Sequence, residues 1–243
     1  MTDTTRIALV TGANKGIGLE VARQLAEAGV TVVIAVRDLG LGKAAAAELA
    51  SLGTLVECVQ LDVNDEASIA DAAERIAAKH GRLDILVNNA GIVDAADGPP
   101  SSASTAAVRR IMETNFIGTF AVTQAMLPLL RKSKAARIVN LSSALGSLAI
   151  NSDPSSPFYS QRLIGYNASK AAVNMLTAQL SAELRGTSIV VNSVSPGYVK
   201  TDLTGHKGAM TPAEGARMPV KYALLGDDAV SGQFVGPGGE TPW

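Results

Sequence analysis

The sequence predicts a doubly wound α/β fold: a parallel sheet of about seven strands with helices on both faces. Two observations predict it. Short runs that are apolar at nearly every position, such as "RIALVTG" and "VTVVIAV", alternate along the chain with stretches whose apolar residues recur at helical spacing. Strands apolar on both faces belong to parallel sheets covered on both sides. In such folds ligands bind beyond the carboxyl ends of the strands.

The elements follow in order. "RIALVTG" is the first strand, and "IGLEVARQLAEAG" the first helix, with Ile17, Val21, Leu25 and Ala28 on one face and Gly29 as its C-cap. "VTVVIAV" is the second strand, followed by an alanine-rich helix over about 40–52. "LVECVQLDV", a helix over about 67–79 and "LDILVNNAG" continue the series. A longer helical region over about 104–130 precedes the strand "RIVNLSS". A helix carrying Tyr166 comes next, then "SIVVNSVSPG" and a last strand near "GQFVG". Two segments break the alternation: 145–164 is polar and turn-rich, and 201–219 is punctuated by Gly and Pro. Both follow strands, so both can overhang the ligand side, and long irregular segments in a compact domain are usually functional loops. No linker, repeat or composition break divides residues 1–243, so a single domain is expected.

Composition excludes several classes. The chain has 243 residues, 47% hydrophobic and 18% charged, with a net charge of −1. Near-neutral charge without a Lys/Arg cluster argues against nucleic acid or an anionic membrane as partner. Cys58 is the one cysteine, and His80 and His206 lie far apart, so neither a disulfide nor a metal site is expected. The start "MTDTTRIALV" has no signal-peptide pattern, and no run of eighteen apolar residues exists. The expectation is a soluble, cytoplasmic protein.

The strand-to-helix turn "LVTGANKGIG" places Gly12, Gly16 and Gly18 in G-x-x-x-G-x-G spacing. That differs from G-x-G-x-x-G and from a triphosphate P-loop, but the physics is the dinucleotide one. Glycines let the backbone approach a pyrophosphate, and the helix N-terminus stabilises its charge. A purely structural turn is the alternative. The end of the second strand selects the dinucleotide: an acid there binds a ribose 2′-hydroxyl, an Arg a 2′-phosphate. Here Val36 is followed by Arg37 and Asp38. Asp38 lies twenty residues past Gly18, late enough to cap the following turn instead. Arg37, with Lys15 as a second cation, favours NADP over NAD.

These residues resemble the short-chain dehydrogenase/reductase family. "TGANKGIG" is similar to its T-G-x-x-x-G-x-G cofactor signature, and "NNAG" at 88–91 to its fourth-strand motif. "SPGYVKTD" resembles its Pro-Gly motif, and "TGANKGIG", "VRD", "TPAEGA" and the "GQFV…W" ending resemble its carbonyl reductase branch. The resemblance implies a single-domain Rossmann fold and NADP(H) contacts at Gly12, Asn14, Lys15, Gly16, Ile17, Gly18, Arg37, Asp62, Val63, Asn89, Ala90 and Gly91. Tyr166, Lys170, Pro196, Gly197, Val199 and Thr201 complete that set. It also implies a catalytic tetrad of Asn115, Ser143, Tyr166 and Lys170. Between Ser143 and Tyr166 stand twenty-two residues, more than in the simplest members and fewer than in animal carbonyl reductases. This insertion, 145–164, favours a monomer, with a homodimer or homotetramer still open.

The chemistry needs a hydride and a proton. Tyr166 is the candidate acid/base, and its ordinary pKa of about 10 is high for a base near neutrality. Lys170, one helical turn along, is expected to lower it, as is an oxidised nicotinamide. The resemblance further assigns Lys170 to the nicotinamide ribose. Ser143, in preference to Ser142, would polarise the substrate oxygen. Asn115 would turn inward and hold a water connecting Lys170 to solvent. Tyr159 lacks a lysine four residues later and goes to the substrate loop. Leu148, Ile150, Phe158, Leu203 and Met210 are expected to line a pocket for a mid-sized hydrophobic carbonyl compound. The implied function is NADPH-dependent reduction of a ketone or aldehyde. An NAD-linked alcohol dehydrogenase and a non-catalytic NADP-binding protein are the alternatives.

Overall fold

Strands with no polar face must be covered on both sides, and the computed structural model, which describes residues 5–51 and 56–243, is built that way. The strands are β1 (Ile7–Thr11), β2 (Thr31–Val36), β3 (Val56–Gln60), β4 (Ile85–Asn88), β5 (Ala136–Leu141), β6 (Ile189–Val194), β7 (Phe234–Gly236) and β8 (Gly239–Glu240). Their order across the sheet is β3-β2-β1-β4-β5-β6-β7-β8. All pairs are parallel except β7–β8, which is antiparallel. The sequence predicts about seven strands. The eighth has two residues and is too short to leave an apolar pattern.

The helices are α1 (Gly16–Glu27), α2 (Leu39–Ser51), α3 (Glu66–His80), α4 (Thr105–Met112), α5 (Gly118–Leu130), α6 (Leu148–Ser152), α7 (Ile164–Glu183) and α8 (Pro212–Ala223). The expected end of the second helix at 52 and start of the third strand at 55 lie outside the described residues. One core packs α3, α5 and α7 on the sheet through Ile76, Met126 and Leu180, among others. The other packs α1, α2 and α8 through Leu25, Leu49 and Ala223. Among the described residues no helix is long and apolar enough to cross a membrane. Cys58 is half-buried on the edge strand β3, and burial pushes its thiol pKa up, which disfavours the thiolate.

Three local features differ from the sequence expectation. Gly29 follows the C-cap instead of being it; Ala28 is the cap, and Gly29 takes the left-handed turn at φ +80°. The helical region expected over 104–130 is interrupted by a π-turn at Glu113–Ile117, which contains Asn115. Such turns occur frequently at functional sites. The 145–164 segment is partly ordered by α6, whose start is tied to the chain end by the Ala149 N–H donating to the Trp243 carbonyl at 3.2 Å.

Gly118, at the start of α5, shows how the strand ends are seated. A Cβ there would lie 2.7 Å from the carbonyl oxygen of Val63, just past β3. Glycine in a helix is otherwise unfavourable, so the close approach accounts for it. Gly118→Ala is expected to lower stability by about 1–3 kcal/mol through overpacking. Urea unfolding measures this, and an unchanged midpoint would refute the seating.

Candidate active site

The strand order reverses at β1 and β4, which are neighbours although β2 and β3 come between them in sequence. A cleft opens where the connections diverge. Thr11, at the end of β1, spans it: its Oγ1 accepts the N–H groups of Asn89 at 3.0 Å and Ala90 at 3.1 Å. The Asn89 amide donates back to the carbonyls of Thr11 at 2.8 Å and Gly12 at 3.1 Å. Asn89, a predicted cofactor contact, thus builds the glycine turn. Thr11 itself was not singled out from the sequence, although it stands first in the "TGANKGIG" signature.

The turn is shaped by its glycines. Gly12 and Gly16 have φ near +60°, and a Cβ on Gly18 would strike the Asn89 amide at 2.4 Å. Helix α1 starts there with no side-chain cap and no acidic residue in its first turn. By contrast α3, α4 and α8 are capped by Asp65, Ser104 and Thr211. The remaining turn residues, Asn14 and Ile17, are half-buried around it. Thr201 reaches this turn from the far side: its Cγ2 lies 3.5 Å from where a Cβ on Gly16 would be.

The cations divide. Lys15 forms an ion pair with Asp202, which also accepts from His206 at 2.9 Å. Lys15 first and His206 second hold the Asp202 carboxyl below its ordinary pKa. The Lys15 charge is therefore shared across the cleft. Arg37 is exposed just past β2 and has no ion pair among the described residues. Asp38 caps α2, its Oδ1 accepting from Gly40 at 2.8 Å and Leu41 at 3.1 Å. Asp62 stands half-buried past β3, with Oδ1 accepting from Asn64 at 3.0 Å. Past β6, Pro196 and Gly197 are half-buried, Val199 is buried, and Tyr198 stands 53% exposed.

The four candidate catalytic residues converge at the ends of β4 and β5. Tyr166 and Lys170 are buried on α7, at 8% and 5% exposure. Lys170 Nζ donates to the Leu141 carbonyl at 2.8 Å and lies 5.7 Å from the centre of the Tyr166 ring. Ser143 stands beside the Tyr166 hydroxyl, near enough to favour its ionised form, while its own Oγ accepts the Leu145 N–H at 3.2 Å. Ser142 is buried and turned to the Lys170 backbone carbonyl at 3.5 Å, so it does not compete for that place. Gly91 separates two of the four, since a Cβ on it would lie 3.4 Å from Asn115 Oδ1 and 3.6 Å from Lys170 Nζ.

Asn115 has partners that the sequence does not predict, and one expectation, the Tyr166 pKa, needs correction. The Asn115 side chain is committed to protein: Oδ1 accepts from Ile92 N–H at 2.7 Å, and Nδ2 donates to the Ile92 carbonyl and Ser169 Oγ, both at 3.0 Å. Turned inward as the sequence predicts, it clamps the chain past β4. The Tyr166 pKa is not lowered. Burial pushes it up to about 12, the neighbouring Ser143 opposing. Burial likewise pushes Lys170 down to about 8. Desolvation of the phenolate outweighs the neighbouring charge, because the same burial weakens the charged form of the lysine.

The predicted pocket residues scatter. Leu148 lines a cavity of about 220 Å³ with Leu145, Leu163, Asn167 and Ala171, against the flank of α7 and without Tyr166 or Ser143. Phe158 and Leu203 are 38% and 37% exposed, and Ile150 is half-buried. Met210 supports the Pro–Gly turn, its sulfur 2.7 Å from where a Cβ on Gly197 would be. Tyr159 lies under the Arg162 guanidinium at 4.2 Å, within the insertion.

Comparison with known proteins agrees with this geometry. A family model described as short chain dehydrogenase matches residues 6–212. Short-chain dehydrogenase anuI of Penicillium roqueforti is 35% identical, over 92% of this chain and 90% of that protein. Carbonyl reductase [NADPH] 1 of Sus scrofa is 35% identical, over 97% of this chain and 93% of that protein. The structure of salutaridine reductase from Papaver somniferum superposes with a TM-score of 0.82 at 32% identity, over 94% and 99% of the two chains. The chain belongs to the short-chain dehydrogenase/reductase family, an oxidoreductase family that binds a nicotinamide cofactor, and carbonyl reductases are among its relatives.

The raised phenol pKa is directly measurable. The absorbance difference between the native chain and Tyr166→Phe should show no phenolate at or below pH 10, the ordinary tyrosine value, because the group titrates near 12. A phenolate signal at lower pH would mean that the Lys170 charge overcomes burial.

Proposed function

We propose that this chain is an NADPH-dependent reductase that converts a ketone or aldehyde to an alcohol. The observation that carries the reading is the buried Tyr166–Lys170 pair with Ser143 half-buried beside it, next to an uncapped, glycine-lined helix start. The turn fits a dinucleotide pyrophosphate, because its glycines clear the backbone and the α1 N-terminus is uncompensated by any side chain. Gly12, Gly16, Ile17 and Gly18 would hold the phosphates, Arg37 the 2′-phosphate, and Lys170 the nicotinamide ribose. The bound cofactor supplies the hydride.

The protein's own contribution is the proton. A phenol held near 12 is protonated at neutral pH, so Tyr166 is ready to donate to the carbonyl oxygen as that oxygen gains charge. Donation is the reduction direction. The Ser143 hydroxyl steadies the same oxygen, and Lys170, still mostly protonated below about 8, stabilises the phenolate left behind. Burial of these groups keeps water away and strengthens each interaction. The relative named carbonyl reductase [NADPH] supports both the substrate class and the cofactor. A hydrophobic carbonyl substrate of moderate size would approach over the exposed Tyr198 and Leu203.

Turnover should therefore appear with NADPH against a panel of aryl ketones, diketones and aldehydes, followed by loss of cofactor absorbance, and vanish in Tyr166→Phe. Cofactor binding without turnover on the whole panel would favour a non-catalytic binding protein. The choice of cofactor is tested separately. Arg37→Ala should raise the NADPH KM about 10- to 100-fold, the loss of a charge-assisted contact, and leave the NADH KM alone. Asp38→Ala should cost about 1 kcal/mol of stability as a lost helix cap and change neither KM. A selective rise of the NADH KM in Asp38→Ala would return the site to NAD.

A further inference from the structure

Helix α7 has no cap of its own. It begins after Leu163 without a side-chain hydrogen bond from the N-cap and without an acid in its first turn. The acceptors come from 69 residues upstream, in the segment between β4 and α4. Asp97 Oδ1 accepts the Gly165 N–H at 2.9 Å, and Oδ2 accepts the Tyr166 N–H at 2.9 Å. Oδ1 also accepts from its neighbour Gly98 at 2.9 Å, and the Gly98 carbonyl accepts the Ile164 N–H at 3.0 Å. Three consecutive N–H groups, the last belonging to Tyr166, are thus bound by two adjacent residues.

The seat is also tight. A Cβ on Gly165 would lie 3.2 Å from Asp97 Oδ1, 3.0 Å from Ile111 Cδ1 and 3.2 Å from Val108 Cα. Asp97 is half-buried against it. The segment that carries Asp97 is anchored at its start by the two Ile92 bonds of Asn115 and further on by Arg110, which donates to Asp94 at 2.7 Å.

We propose that Asp97 is a positioning residue for Tyr166. First turns of helices fray, and here the first turn carries the proton donor. An ionised carboxylate at a helix N-terminus forms charge-assisted bonds and is favoured by the helix dipole. It fixes the backbone of Tyr166 and with it the direction of the hydroxyl toward Ser143. Reactions of this kind lose rate steeply when a reacting group is displaced by an ångström. Asp97 acts through Tyr166 and touches no reacting atom. The kinetic part of the test rests on the carbonyl-reduction reading; the seat itself does not.

The test compares Asp97→Ala and Asp97→Asn with the unaltered full-length chain. It measures kcat, carbonyl KM, the NADPH dissociation constant by fluorescence, and hydrogen exchange at the Gly165 and Tyr166 amides. Asp97→Ala should lower kcat on the order of 10- to 100-fold, leave the NADPH dissociation constant unchanged and expose both amides to exchange. Asp97→Asn keeps one accepting oxygen and should lose less on both readouts. An unchanged kcat despite exposed amides, or a loss confined to NADPH affinity, overturns the proposal. If the unaltered chain reduces no carbonyl, the functional reading fails and exchange decides alone: amides still protected in Asp97→Ala overturn the proposal, and amides exposed in it support the proposal.

Discussion

A polar seam buried in the middle of the sheet decides where everything above it stands. Asn88 ends β4, and its side-chain amide donates to Asn140 on β5 at 2.8 Å and to Thr123 on α5 at 3.0 Å. Asn140 donates on to Thr177 of α7 at 2.8 Å, and Thr177 pairs with Ser193 of β6 at 2.8 Å. Asn88, Asn140 and Ser193 are direct neighbours across three parallel strands. Each of these groups is buried, and a buried amide or hydroxyl without a partner costs about 1–3 kcal/mol. Apolar packing alone would let α7 slide along the sheet at little cost. The seam does not, because one register alone brings Thr177 to the Asn140 amide and the Ser193 hydroxyl.

That register places the candidate catalytic residues. Thr177 lies seven residues past Lys170 and eleven past Tyr166 on the same helix, so pinning Thr177 pins both. Lys170 then meets the Leu141 carbonyl at the end of β5, and Tyr166 meets Ser143 two residues further along the chain from that carbonyl. The first turn, farthest from the seam, is where the helix would fray. Asp97 binds it there. The phenol is thus fixed from both directions, by a core contact on one side and a cap borrowed from a distant segment on the other.

The same burial that gives precision changes the acid–base behaviour. A tyrosine four residues from a lysine suggests a phenol made more acidic, and an exposed pair would behave so. Enclosed, both groups move toward their neutral forms, Tyr166 up to about 12 and Lys170 down to about 8. The result is a phenol that keeps its proton at neutral pH beside a lysine that is still mostly charged, as the proposed reduction requires.

Much of this was legible in the sequence. Unbroken apolar runs required a two-faced sheet, and the alternation with amphipathic helices required it to be parallel. The glycine turn, the Tyr166–Lys170 spacing and the cap role of Asp38 could all be read because each depends on neighbours a few residues away, whereas Ser143 in preference to Ser142 rested on the family resemblance. What only tertiary structure decided involves residues far apart in the chain. Asn115 clamps Ile92, Lys15 is shared with Asp202, Thr11 stitches β1 to β4, and Asp97 caps a helix 69 residues downstream. The direction of the pKa shifts belongs to the same group. Local spacing fixes which side chains share a face. Burial and long-range partners, which no local pattern encodes, determine what those side chains can do.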